Sequence, residues 1–328
     1  MKKAFAILLL LVFILPFSTV TKACDAIEVG KSADSESTLT YLMCGYDDAG
    51  FNTDSIILAR YSFSDNEICF LQIPRDTYYS EAPYGKINSL FPSSLSEGMT
   101  KQEGMERLRN SISAALGIKI DAYIGYTMQT FVNLIDAIGG VDITLTSPFE
   151  VKDSDGENIL SLPEGESHLS GSDALLFVRS RNAYKAGDLG RIDAQKRFLS
   201  AFMQKVKNDI TISNVIRICI QAGNGWTVDA KIKDLFSILL KNKGRISNIG
   251  TIYVNLPGLQ TEDKTGVWYY VASKPLTDSL LNNLGFLRTG PFDEHGRLYK
   301  PNEQSFSDIY NSTDLRVRIY GDSDLLQP

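Results

Sequence analysis

From Thr38 onward the chain alternates short apolar runs of strand length with longer windows whose apolar residues recur every three or four positions. The runs end in turn chemistry, and the windows carry one apolar face that must lie against something. Strands and helices alternating in this way argue a mixed central sheet covered by helices on both faces, an α/β fold of α-β-α sandwich type. Leu39 to Gly45 is the first strand, and Asp54 to Phe63 and Glu67 to Ile73 are the second and third. Ser64-Asp65-Asn66 between the latter two predicts a hairpin, and Pro74 ends the third strand. Lys101 to Leu116 places Met105, Leu108, Ile112 and Leu116 at helical spacing, with Gly117 as the stop. Tyr123 to Ile138 joins a short strand to a helix, Val141 to Leu145 is a strand, and Asp173 to Arg181 runs from helix into strand. Arg191 to Val206, Ile232 to Leu240 and Leu276 to Leu284 read as helices, and Thr251 to Leu256 as a strand.

The N-terminus sets the compartment. Met1-Lys2-Lys3 precedes an apolar run from Ala4 to Phe17, the layout of an export signal with its Lys pair on the cytoplasmic side. An uncleaved anchor leaves one N-terminal span in the cell membrane and the rest on its outer side; a cleaved signal peptide releases the chain. A lipoprotein site at Thr21-Lys22-Ala23-Cys24 is a third option, though Thr21 and Lys22 fit it poorly. The expected organisation is an anchor or signal at 1–23, a polar linker at 24–37, a catalytic domain at 38–288 and a peripheral, turn-rich tail at 289–328.

A formal net charge of -6 excludes a general nucleic-acid binder, which needs a basic footprint. A local arginine cluster can still hold an anion. The two histidines, His168 and His295, leave little room for a His-based metal site or a Ser-His-Asp triad. The four cysteines show no C-x-x-C spacing, and no G-x-x-x-x-G-K-[ST] or G-x-S-x-G motif is present. Cys44 and Cys69 lie on strands that could be neighbours; two buried thiols are expected over a disulfide.

Three constellations could carry chemistry. Asp47 and Asp54 flank a short loop at one sheet edge; they suit a hard cation such as Mg²⁺, with Mn²⁺ as its substitute, or are simply solvated turn residues. Pro74-Arg75-Asp76-Thr77 follows a strand, where an Arg can clamp phosphate and an Asp accept a proton. Lys86 and Asn88 could join the same pocket. Val178-Arg179-Ser180-Arg181, read as strand, turns Arg179 and Arg181 to one face, where an anion would relieve their repulsion. Asp188, Arg191 and Gln195 then share one helix face, as a phosphate-facing stripe or a solvated ion pair. The sum is the composition of a pyrophosphate site with a metal.

These segments resemble the LytR-CpsA-Psr family of bacterial cell-envelope proteins. The carrying stretches are Leu42-Met43-Cys44-Gly45-Tyr46-Asp47, Thr53-Asp54-Ser55, Ile73-Pro74-Arg75-Asp76-Thr77, Lys86-Ile87-Asn88, Ile138-Gly139-Gly140-Val141, Val178-Arg179-Ser180-Arg181 and Gly187-Asp188-Leu189-Gly190-Arg191 with Gln195. The resemblance implies a signal anchor, an extracytoplasmic domain, and transfer of a glycopolymer phosphate from a polyprenyl-pyrophosphate lipid to peptidoglycan. It implies Mg²⁺ at Asp47 and Asp54, and pyrophosphate contacts from Arg75, Arg179, Arg181, Arg191 and Gln195. Three departures stand out: Asn52-Thr53-Asp54 replaces the family's usual Arg-Ser-Asp triplet, the loop between Asp47 and Asp54 is shorter than usual, which bears on their joint metal geometry, and Ser89 follows Asn88 where a His is common. The expected function is a phosphotransferase with catalytic Arg75, Asp76, Arg179 and Arg181. A non-catalytic polyprenyl-phosphate-binding membrane module and a lipid pyrophosphatase are the alternatives.

Overall fold

Neighbouring residues of β1 (Thr38–Tyr46) face two different cores: Tyr41 and Met43 join one, Leu42 and Cys44 the other. Side chains on a strand alternate sides, so a strand that is apolar at every position must be covered on both faces. The same division holds for Ile57 and Leu58 in β2 (Thr53–Ser62) and for Ile68 and Cys69 in β3 (Glu67–Gln72). The structure, a computed structural model, describes residues 38–47, 53–180, 188–209, 225–229, 250–315 and 319–321; the side chains of 188–193, 206–209 and 319–321 lie outside the described set.

After β3 come α1 (Leu90–Ser96), α2 (Lys101–Leu116), β4 (Ala122–Thr127), α3 (Met128–Ala137), β5 (Val141–Leu145), β6 (Phe149–Lys152), β7 (Asn158–Leu162), β8 (Gly165–Leu169), α4 (Gly171–Arg179) and α5 (Asp188–Asp209). Then follow β9 (Trp226–Val228), β10 (Gly250–Asn255), β11 (Gly258–Glu262), β12 (Trp268–Ala272), α6 (Lys274–Asn283), α7 (Gln304–Tyr310) and β13 (Ile319–Gly321). The central sheet has seven strands in the order β13-β10-β3-β2-β1-β4-β9. It is mixed: β1 and β4 are parallel, as are β3 and β10, while β1–β2 and β2–β3 are antiparallel. Helices α3, α4 and α5 cover the face that holds Leu134, Phe177 and Phe198. Helices α1, α2, α6 and α7 cover the other through Phe91, Leu108, Leu281 and Phe306. The expected α/β sandwich is therefore present.

Local chemistry sets the helix ends. The Thr100 hydroxyl and Glu103 form a reciprocal capping box that opens α2. Gly117 closes it at φ 62°, with its α-carbon so near the carbonyl of Gly290 that a β-carbon would lie 2.3 Å from that oxygen.

The strand expected at Val141 to Leu145 is present as β5; it pairs with β8 in a two-stranded ribbon apart from the central sheet. Two expectations need correction. The stretch read as passing from helix into strand at Val178-Arg179 is helical to Arg179, in α4. The tail expected at the periphery is part of the core: Phe292 and Phe306 are fully buried, Leu298 and Tyr310 nearly so. Its aromatic residues are too apolar to remain in solvent once a sheet face is open to them. Cys44 and Cys69 are buried free thiols, on β1 and β3 with β2 lying between. The anchor at 1–23, the linker at 24–37 and the helix expected at Ile232 to Leu240 lie outside the described residues. Among the described residues no helix is long and apolar enough to cross a membrane.

Candidate functional site

Asp54 enters the site through a β-bulge. Gly45 of β1 faces Ser55 and Tyr46 faces Thr53, which leaves Asp54 as the extra residue of β2. A bulge of this kind re-aims a side chain. Asp54 and Ser55, consecutive residues, consequently line the same cavity. The Asp54 carboxylate is 7% exposed. One oxygen accepts a short hydrogen bond from Arg75 Nη1, and the other lies 3.0 Å from Arg179 Nη2. Two guanidiniums share one carboxylate, and Arg75 Nε is buried without an acceptor. A buried cation needs both a counter-charge and filled donors. Arg75 Nε is therefore a donor open to an anionic ligand.

The loop after β3 folds back beside itself and carries the remaining polar groups. Ile87 N donates to Thr77 O at 2.9 Å and Asn88 N to Arg75 O at 3.2 Å. This brings Lys86 Nζ within 3.1 Å of Asp76 Oδ1, while Arg75 Nε sits 3.9 Å from Asp76 Oδ2. The hairpin β11–β12 braces the loop: Tyr270 N donates to Asp76 O at 2.9 Å and Tyr78 N to Tyr270 O at 2.8 Å. Asp76 and Lys86 remain partly open to solvent.

The third constellation differs in construction from its expected form. Helix α4 opens with a Ser170–Asp173 capping box and ends at Arg179, with Ser180 as its cap. A cation in the last helical turn meets the negative end of the helix dipole, and the Asp54 carboxylate holds the Arg179 head at 3.0 Å. Gln195 of α5 donates through Nε2 to the carbonyl of Val178 at 3.0 Å, satisfying one of the open carbonyls at the end of α4. Its Oε1 is buried with no donor. Asp188 and Arg191 belong to the first turn of α5, but their side chains lie outside the described set, as does all of Arg181. Asp54, Arg75, Asp76, Lys86, Asn88, Arg179 and Gln195 are thus brought to one place.

Beside this cluster lies an apolar slot, partly open at its mouth. Met43 and Ile57 form its floor on the sheet. Phe131 and Ile135 of α3, Val178 of α4, and Phe198, Leu199 and Phe202 of α5 form its walls. Asp54, Ser55, Arg179 and Gln195 are polar residues among its lining. Tyr126 packs against Gly45, so closely that a β-carbon there would come 3.0 Å from the ring. Burial pushes the Tyr126 phenol up to about 12, against a lowering hydrogen bond from Ser55. Sequence reasoning missed Tyr126, Trp226 and the slot as a whole, because their sole signal was apolar character shared with the core.

Asp47 follows the last residue of β1 and Asp54 sits at the start of β2, so the two belong to one end of a hairpin. Among the described residues no group of three or more His, Cys, Asp or Glu side chains gathers as a metal cluster. Two carboxylates still match the donor set of Mg²⁺, which keeps waters and substrate phosphate oxygens as its other ligands. Asp54 Oδ2, near Arg179 but without an aligned hydrogen-bond donor, is the atom on this chain that such an ion would satisfy.

The LytR_cpsA_psr family matches residues 17–285. A protein of Oceanobacillus iheyensis named polyisoprenyl-teichoic acid–peptidoglycan teichoic acid transferase TagU is 28% identical over 272 residues, covering 81% of this chain and 80% of that protein. Among solved structures, the Streptococcus agalactiae protein gbs0355 aligns with a TM-score of 0.64 at 21% identity, over 79% of this chain and 91% of its own. TagT bound to LIIa-WTA aligns at 0.56 and 22%, over 79% and 96%. Both share the fold.

Proposed function

This chain belongs to the LytR_cpsA_psr family, and from that membership we propose that it transfers a glycopolymer phosphate from a polyprenyl-pyrophosphate carrier to peptidoglycan. The carrying observation is the adjacency of an arginine pair, Arg75 and Arg179 on Asp54, to an apolar slot. A charged head and a hydrocarbon tail in one ligand fit that adjacency. Each buried methylene stabilises by about 0.8 kcal/mol, so the tail supplies affinity while the arginines supply position. The teichoic acid in the name of the relative supports a phosphate-linked wall polymer as cargo.

In this reading the pyrophosphate fills the free donors of Arg75 and Arg179. An acceptor sugar hydroxyl attacks the phosphorus that bears the glycopolymer. The bond from that phosphorus to the bridging oxygen breaks, polyprenyl phosphate leaves, and Asp76 takes the hydroxyl proton. Lys86, 3.1 Å from Asp76 Oδ1, holds that carboxylate in position. Arginines stabilise the charge that spreads over the transferring oxygens. Mg²⁺, held by Asp47 and Asp54, adds neutralising charge when bound. The apolar run from Ala4 to Phe17 anchors the domain at the outer membrane face, where lipid and wall meet.

Detergent-solubilised full-length protein given labelled lipid-linked polymer and peptidoglycan tests this. Label moves to peptidoglycan, chelator lowers the rate, and Arg179→Ala lowers it at least 100-fold. Equal transfer by Arg179→Ala overturns the site; release of free polymer to water in place of transfer turns the assignment to a pyrophosphatase.

A further inference from the structure

Tyr84 stands in a conformation that its side chain does not justify. Its backbone lies at φ 60°, ψ 10°, in the left-handed region that residues with a β-carbon avoid. Its ring is 86% exposed, so no packing compensates the strain. The surrounding hydrogen bonds impose the shape. Gly85 N donates to Ala82 O at 2.9 Å, Tyr79 N to Gly85 O at 3.0 Å, and the Tyr269 hydroxyl to Tyr84 O at 3.3 Å. Ser89 Oγ ties down the Pro83 carbonyl from the other side. Glycine would sit here without strain. Strained residues that their surroundings over-determine cluster at functional sites.

Two residues on, Lys86 faces Asp76 at 3.1 Å, so the ring and the proton-accepting pair ride on one loop. We propose that Tyr84 is the platform on which a sugar ring of the acceptor glycan stacks, presenting a hydroxyl to Asp76. This rests on the transferase reading and adds to it a second substrate subsite. A pyranose has an apolar C–H face and a hydroxylated rim; an exposed phenol offers the matching flat apolar face and polar tip. Glycan fits better than a bilayer here. The same loop carries the Lys86–Asp76 pair, partners for hydroxyls, and the apolar slot already provides for lipid.

Tyr84→Gly is the test, on the full chain in detergent. The strain disappears, so thermal unfolding moves up by about 2 °C or more. The KM for a soluble peptidoglycan oligomer rises at least tenfold, while the Kd for polyprenyl pyrophosphate stays the same. Tyr84→Phe keeps most of the acceptor affinity, which excludes a role for the hydroxyl alone. Binding of the same oligomer is also followed directly by titration, without turnover. Binding that drops tenfold in Tyr84→Gly while the wild type transfers nothing overturns the transferase and keeps the glycan subsite. Transfer and oligomer binding indifferent to Tyr84→Gly overturn the subsite and keep the transferase. Loss of binding to anionic vesicles with unchanged oligomer binding also overturns it, in favour of a membrane contact.

Discussion

Asp54 and Asp76 lie near each other, and the protein treats them in opposite ways. Asp54 is on a core strand, 7% exposed, and carries two arginines. Asp76 is on a braced loop, 18% exposed, with Lys86 as its near partner and Arg75 at 3.9 Å. Environment sorts two like carboxylates into two jobs. The first is held between two guanidiniums and organises charge. The second keeps a face toward solvent and can still take a proton.

The sharpest way to break this contrast is Asp54→Ala. It frees two guanidiniums at once, so transfer falls by orders of magnitude and the fold weakens too. Losing the buried arm to Arg75 costs about 3 kcal/mol. The Arg179 arm, 46% exposed, contributes under about 1 kcal/mol. Denaturant melts of the single and double variants check the division. Next in size is Asp76→Asn, expected to lower kcat by about 10²–10⁴ with lipid affinity and melting unchanged. A matching loss of stability would place Asp76 in the same class as Asp54. Leu199→Asp in the slot wall is smaller. Its effect falls on the KM for lipid, which rises about tenfold or more because the tail meets a charge in place of an apolar wall, with little change for a short-chain pyrophosphate.

The smallest effect lies in the brace. Asp263 accepts from Thr265 N and Val267 N in the β11–β12 turn and pairs with Lys300 at 2.6 Å. The Lys300 ammonium, then the Thr265 hydroxyl, hold its carboxyl well below the usual carboxylate range. A carboxyl depressed in the folded state stabilises above its unfolded pKa of about 3.9 and loses that contribution as pH falls toward the folded value. Asp263→Asn therefore melts lower than wild type at neutral pH, and the gap narrows on acidification below about pH 4. A gap that stays constant down to pH 2 removes the ion pair from the explanation.

Most regular elements were legible in the pattern. Lys101–Leu116 has the expected limits, and β1, β2 and β3 lie within a residue or two of theirs. The error at Val178 has a physical source: a short apolar run has no period long enough to separate strand from helix. The Ser170-x-x-Asp173 box, nine residues before Arg179, is the helix-start signal that settles the choice. In the site, charged residues announced themselves, and Lys86 does meet Asp76. The bulge that turns Asp54 inward and the strained backbone of Tyr84 left no mark, because both arise from pairing between distant segments. The slot was invisible for a different reason. An apolar residue that lines a cavity and one that fills a core obey the same pattern, and three-dimensional closure alone tells them apart.

Cys44 and Cys69 have no solvent exposure, and burial raises both thiols far above their ordinary values. Reactivity toward oxidants and alkylators belongs to the thiolate. These two sulfurs are consequently shielded from such reagents in the native fold, whereas any excursion that opens the sheet lays both of them bare. Labelling rate thus becomes a built-in stopwatch for global opening, readable by mass without attaching a reporter.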